Sequence, residues 1–163
     1  MRLLGREKKA SPDRKAQRLY ESGMTTLATE DDPGSVVDAA KAFRAAAESG
    51  HVEAMFMLAE CNRSSIMYGR SYDEALRWYR AAAEAGHAKA TFRLGQMYEE
   101  GMGVPQSRLE AGKLYLRAAE KGLPEAQYAY AVLCEEGDCE GDASFWYRKA
   151  HENGFELAKD KLA

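Results

Sequence analysis

Trp78-Tyr79-Arg80-Ala81-Ala82-Ala83-Glu84-Ala85-Gly86-His87-Ala88-Lys89-Ala90 decides the fold. It reads as the end of one helix, a glycine stop and the start of a second helix. The second helix runs through Leu94-Gly95-Gln96-Met97-Tyr98 to a glycine-rich loop, Gly101-Met102-Gly103-Val104. The same phrase precedes it as Ala45-Ala46-Ala47-Glu48-Ser49-Gly50-His51. It follows as Arg117-Ala118-Ala119-Glu120-Lys121-Gly122-Leu123 and Lys149-Ala150-His151-Glu152-Asn153-Gly154-Phe155. Gly50, Gly86 and Gly122 stand 36 residues apart, and Gly154 comes 32 later. Ala54, Ala90, Ala126 and Ala158 keep step with the glycines. A repeat of this period marks stacked helix pairs, because one pair alone cannot bury its apolar face.

Each unit divides into two amphipathic helices. Ala90, Leu94, Met97 and Tyr98 fall at spacings of three and four in a first helix, and Ala75, Trp78, Tyr79 and Ala82 do so in a second. Ser71–Glu74 and Ser107–Glu110 read as capping boxes, in which hydroxyl and carboxylate both accept from free amides, with Ser35–Asp38 an acidic variant. The glycines end the second helices, where a left-handed residue is needed. Pro124 suits a first turn. The alanine runs let helices approach closely, and Phe43, Tyr79, Tyr115 and Tyr147 fill the space beside them. The first unit is diverged: Leu19-Tyr20-Glu21-Ser22-Gly23-Met24 echoes Met97-Tyr98-Glu99-Glu100-Gly101-Met102, which places a first helix over 12–28, a turn over 29–34 and a second helix over 36–49. The expectation is an all-α, α/α solenoid. It has units 12–50, 51–86, 87–122 and 123–154, a basic leader 1–11, and a polar capping helix 155–163.

A chain of 163 residues can bury one core. Its formal charge of −3 is unevenly spread, since seven basic and two acidic side chains fall within residues 1–18. The remaining acidic body argues against nucleic acid as the main ligand. No run approaches the ~20 apolar residues of a membrane helix. Met1 to Leu4 is too short for the apolar core of a signal peptide, so the chain reads as cytoplasmic. Cys61, Cys134 and Cys139 form no disulfide framework. They read as small buried thiols, with a Cys134–Cys139 disulfide as the alternative.

A search for chemistry finds packing instead. His51 and His87 share a slot that Leu123 and Phe155 also fill, which points to packing or capping rather than metal ligation. Glu99-Glu100 and Glu135-Glu136 read as solvated helix surface. The Gly101–Val104 loop lacks the strand, lysine and serine of a phosphate loop. No catalytic, cofactor-binding or metal-binding residue is assigned, and a non-enzyme is expected.

Ala90, Leu94-Gly95, Met97-Tyr98, Gly101-Met102-Gly103-Val104, Ala111, Tyr115 and Ala118-Ala119-Glu120-Lys121-Gly122 together resemble the Sel-one-like repeat, a relative of the tetratricopeptide repeat. The resemblance is strong over 39–163 and weak over 12–39. It implies a right-handed superhelix whose first helices line a concave face, and an adaptor role in protein complexes. The candidate partner-binding residues on that face are Met57, Glu60, Lys89, Arg93, Gln96, Glu100 and Gln127. They suit an extended or helical peptide of mixed charge. A bacterial immunity or chaperone protein for a secreted effector is the alternative the family suggests. A cysteine-rich branch linked to penicillin binding or hydrolysis carries paired cysteines in each unit, a pattern this chain lacks.

Overall fold

The computed structural model describes residues 14–29, 33–64 and 71–162. Among the described residues there are eight α-helices: α1 (Arg14–Thr29), α2 (Pro33–Glu48), α3 (Val52–Arg63), α4 (Tyr72–Glu84), α5 (Ala88–Glu100), α6 (Arg108–Ala119), α7 (Pro124–Glu135) and α8 (Ala143–Glu152). A 3-10 helix, Glu156–Lys161, follows. Every helix packs on its sequence neighbours. Odd and even helices therefore form two rows, and the architecture is an α/α solenoid of four helix pairs. Among the described residues no helix is long and apolar enough to cross a membrane.

The repeat phrase explains the stack. Gly50, Gly86, Gly122 and Gly154 have φ between +83° and +94°, a conformation that costs a side chain free energy. This turn lets the next amide reach back over it, His87 N to Ala82 O at 2.9 Å and Phe155 N to Ala150 O at 2.9 Å, so otherwise orphaned carbonyls are satisfied. Ala46, Ala82, Ala118 and Ala150 are fully buried where helices cross. The buried rings of Phe43, Tyr79, Tyr115 and Tyr147 each meet a ring of their own first helix. The partners are Tyr20, Phe56, Phe92 and Tyr128, at centroid distances of 5.9, 6.1, 5.3 and 5.4 Å.

That ring row corrects the register of the first unit. A Cβ on Gly23 would lie 2.7 Å from Phe43, as one on Gly95 would lie 2.6 Å from Tyr115. Gly23 is therefore the counterpart of helical Gly95, where a ring sits on bare backbone, and not of loop Gly101. The turn expected over 29–34 is also shorter, since Thr29 ends α1 and Pro33 begins α2. Proline is suited to that first position, and it leaves Ser35 buried inside the first turn rather than capping it.

The other capping boxes form by half. Ser71 Oγ accepts from Glu74 N at 3.4 Å, and Ser107 Oγ from Glu110 N at 3.3 Å. The serine amides instead donate to Asn62 O and Tyr98 O of the preceding helices. The glutamates are thereby released, and Glu74 takes the Trp78 indole N–H at 3.3 Å. The closing segment is a 3-10 turn that buries Ala158 and leaves Leu157 63% exposed. All three cysteines are free thiols; Cys61 is buried, whereas Cys134 and Cys139 are half-buried. Desolvation first, then the Glu60 carboxylate, pushes Cys61 up to about 11, and desolvation, then the neighbouring Cys134, pushes Cys139 up to about 11. The leader 1–11 and positions 65–70 lie outside the described residues.

Candidate functional site

One row of contacts repeats from unit to unit until it breaks. The slot after each stop glycine begins the next first helix. In His51 and His87 the Nδ1 atom accepts from the amides of Ala54 and Ala90 at 3.1 and 3.0 Å. Each histidine therefore caps α3 or α5 while its ring stacks on Tyr20 or Phe56, with centroids at 4.7 and 4.8 Å. Because Nδ1 accepts, Nε2 carries the proton. It donates to Gln17 Oε1 from His51 and to Glu53 Oε2 from His87, both at 2.9 Å. The position of Gln17 and Glu53 continues as Lys89 and Glu125, one and two 36-residue periods after Glu53. There the slot holds Leu123 and Phe155, which make no side-chain cap. Among the described residues, the side chains of Lys89 and Glu125 make no hydrogen bond or ion pair.

A cavity of about 480 Å³ opens where the row breaks. Phe56, Met57, Phe92 and Leu123 form its apolar floor, and Glu60, Lys89, Arg93 and Glu125 its charged walls. A second hollow of about 320 Å³ shares Lys89 and Leu123 and reaches Lys121 and Pro124. The two make one trough across α3, α5 and the start of α7. Lys121 Nζ donates to Gly86 O at 2.7 Å, so its charge meets a carbonyl and not a carboxylate.

Glu60 is the anchor of the trough wall. Its carboxylate accepts from Tyr79 OH at 2.5 Å, Arg93 Nε at 3.0 Å and Arg63 Nη2 at 3.1 Å. Burial, then the bond to Glu60, drives the Tyr79 phenol well above its ordinary range, so it stays a donor. Arg93 Nη1 also donates to Gln96 Oε1 at 2.8 Å, which fixes the guanidinium plane.

The sequence-derived candidates divide accordingly. Met57, Glu60, Lys89 and Arg93 line the cavity, and Gln96 orients Arg93. Glu100 is exposed at the end of α5 and does not line it. Gln127 is 3% exposed, a correction to its reading as a surface contact. Its amide donates to Ala119 O at 3.1 Å and accepts from Asn153 Nδ2 at 2.9 Å, tying α6 and the end of α8 to α7. Glu99 and Glu135 are likewise not merely solvated, since they accept from Tyr115 and Tyr147 at 2.5 and 2.7 Å. Phe56, Phe92, Leu123 and Glu125 were missed as site residues. The signal was the replacement of histidine by leucine in the slot. Among the described residues no cluster of three or more His, Cys, Asp or Glu could hold a metal ion.

The Sel1 repeat family model matches residues 52–87, 88–123 and 124–155. A Sel1 repeat protein from Oxalobacter formigenes has a similar structure, with a TM-score of 0.81 and 30% identity over 90% of this chain and 60% of that one. A protective antigen present in uropathogenic Escherichia coli strains, displaying an SLR fold, also matches at a TM-score of 0.81. Its identity is 30% over 90% of this chain and 32% of its own. The chain thus spans less than two thirds of either relative. No curated protein matches it.

Proposed function

The chain belongs to the Sel1 repeat family, whose members generally act as protein–protein interaction scaffolds, and from that premise we propose that it binds a protein segment in the trough across α3, α5 and α7. The observation that carries this reading is the break in the repeat at Lys89 and Leu123. The family's pattern residues are consumed by packing, whereas here an apolar floor and unpaired charge stand together at the surface. Half-exposed Phe, Met and Leu beside a positioned Arg are the composition of an interface core. The proposed action is non-enzymatic. The trough supplies shape, apolar area and charge, and the paired histidines are occupied as helix caps.

The test is capture from the source organism's extract on the immobilised chain, followed by mass spectrometry. Met57→Glu places a charge on the floor, and Arg93→Glu reverses the wall. Recovery of the main partner is expected to fall at least tenfold with each, while the helical circular dichroism is unchanged. Unaltered recovery with both variants overturns the trough as the binding surface.

A further inference from the structure

We infer that the trough takes an acidic-hydrophobic peptide segment, in which an apolar side chain lies on the Phe92–Leu123 floor and a neighbouring carboxylate meets Lys89. This rests on the trough being the binding surface and adds the chemistry of its occupant. The argument begins with the repeat. In the two preceding contacts of the row, the side chain at this position is answered by a histidine: Gln17 by His51 and Glu53 by His87. Lys89 faces Leu123 instead, which offers no acceptor.

The charges around Lys89 decide the sign of the ligand. The anion of Glu60 already meets two guanidiniums and a phenol. Glu53 is engaged by His87, and Lys121 by a backbone carbonyl. Glu125 shares the rim. Lys89 lines both hollows with no partner among the described residues, and Arg93 and Lys121 flank it along the trough. A carboxylate seated there gains an ammonium in a partly apolar surrounding, where a charge-assisted bond is stronger than in water. A cation there would meet Lys89 and Lys121, and of the carboxylates beside them Glu53 already accepts from His87, which leaves Glu125 alone without a donor among the described residues.

The experiment pans a phage-displayed random peptide library on the purified full chain and measures the enriched peptides by fluorescence anisotropy. Enrichment of an apolar side chain within two residues of Asp or Glu is expected. Lys89→Glu should weaken such a peptide at least tenfold, and the same peptide with Lys for its acid should bind K89E at least tenfold better than it binds the unaltered chain. The double variant K89E/L123H rebuilds the Glu53–His87 pair one unit on. It should stay as stable as the parent and lose the peptide, which separates loss of site from loss of fold. Peptides without acidic residues that are still lost in K89E/L123H overturn this inference and leave the trough standing. No enrichment, or binding unaffected by that variant, overturns both.

Discussion

Tyr115 and Glu99 show how this repeat substitutes residues in pairs. Tyr115 is 1% exposed, and its hydroxyl has Glu99 as acceptor at 2.5 Å. Two periods earlier the same positions are Phe43 and Leu27, so donor and acceptor are lost together. In the second unit the position of Glu99 is Arg63, and Glu60, one turn back, receives Tyr79 instead. Removing both members of a buried hydrogen bond can be nearly neutral, whereas leaving one unsatisfied costs about 1–3 kcal/mol. Glu99→Leu is therefore expected to destabilise the chain by about 1–3 kcal/mol in urea titration. Adding Tyr115→Phe should restore at least half of that loss. Additive losses would show that the two side chains are not coupled.

The helices are held at their ends by two devices of different legibility. The glycine stops were readable because a positive φ leaves few residue choices, and the 36-residue spacing repeats them. The caps at His51 and His87 were readable only as packing or capping, since an imidazole can stack, donate or accept. Only the positions of Ala54 N and Ala90 N show that it accepts. His87→Ala should cost about 1 kcal/mol for the cap and a further 0.5–1.5, roughly, for the stack on Phe56. His87→Asn should recover the cap portion alone, read from denaturation midpoints. Equal losses in the two variants would rule out the capping role. Among the residues that line the cavity, Met57, Glu60, Lys89 and Arg93 were legible because they depart from the repeat on one face of the first helices. Gln127 was misread for the same reason. A polar residue off the pattern can be a buried tie as readily as a contact, and Ala119 and Asn153, which decide it, come from other helices.

At the scale of the whole molecule, the main contacts run between sequence-adjacent helices, with lighter ones between the first helices of successive units, such as Arg93 to Glu60, so stability is set by neighbouring units. The last interface is the thinnest. The 3-10 helix buries Ala158 against α8 and α7, Phe155 packs on Tyr128 at 5.0 Å, and Lys161 Nζ reaches Glu135 at 2.7 Å. That bond, then the Tyr147 hydroxyl, holds the Glu135 carboxyl below its usual range. Removing residues 155–163 would expose Tyr128, Tyr147 and Ala150 and leave α7 and α8 covered on one side only. Neighbour coupling predicts that amide exchange in α7 and α8 accelerates at least tenfold in the shortened chain. Exchange in α4 and α5, separated from the cut by α6, should change far less. Hydrogen exchange read by mass spectrometry on peptic fragments distinguishes the cases. A uniform acceleration from α3 to α8 would mean that the stack opens as one cooperative unit and that the nearest-neighbour account is wrong.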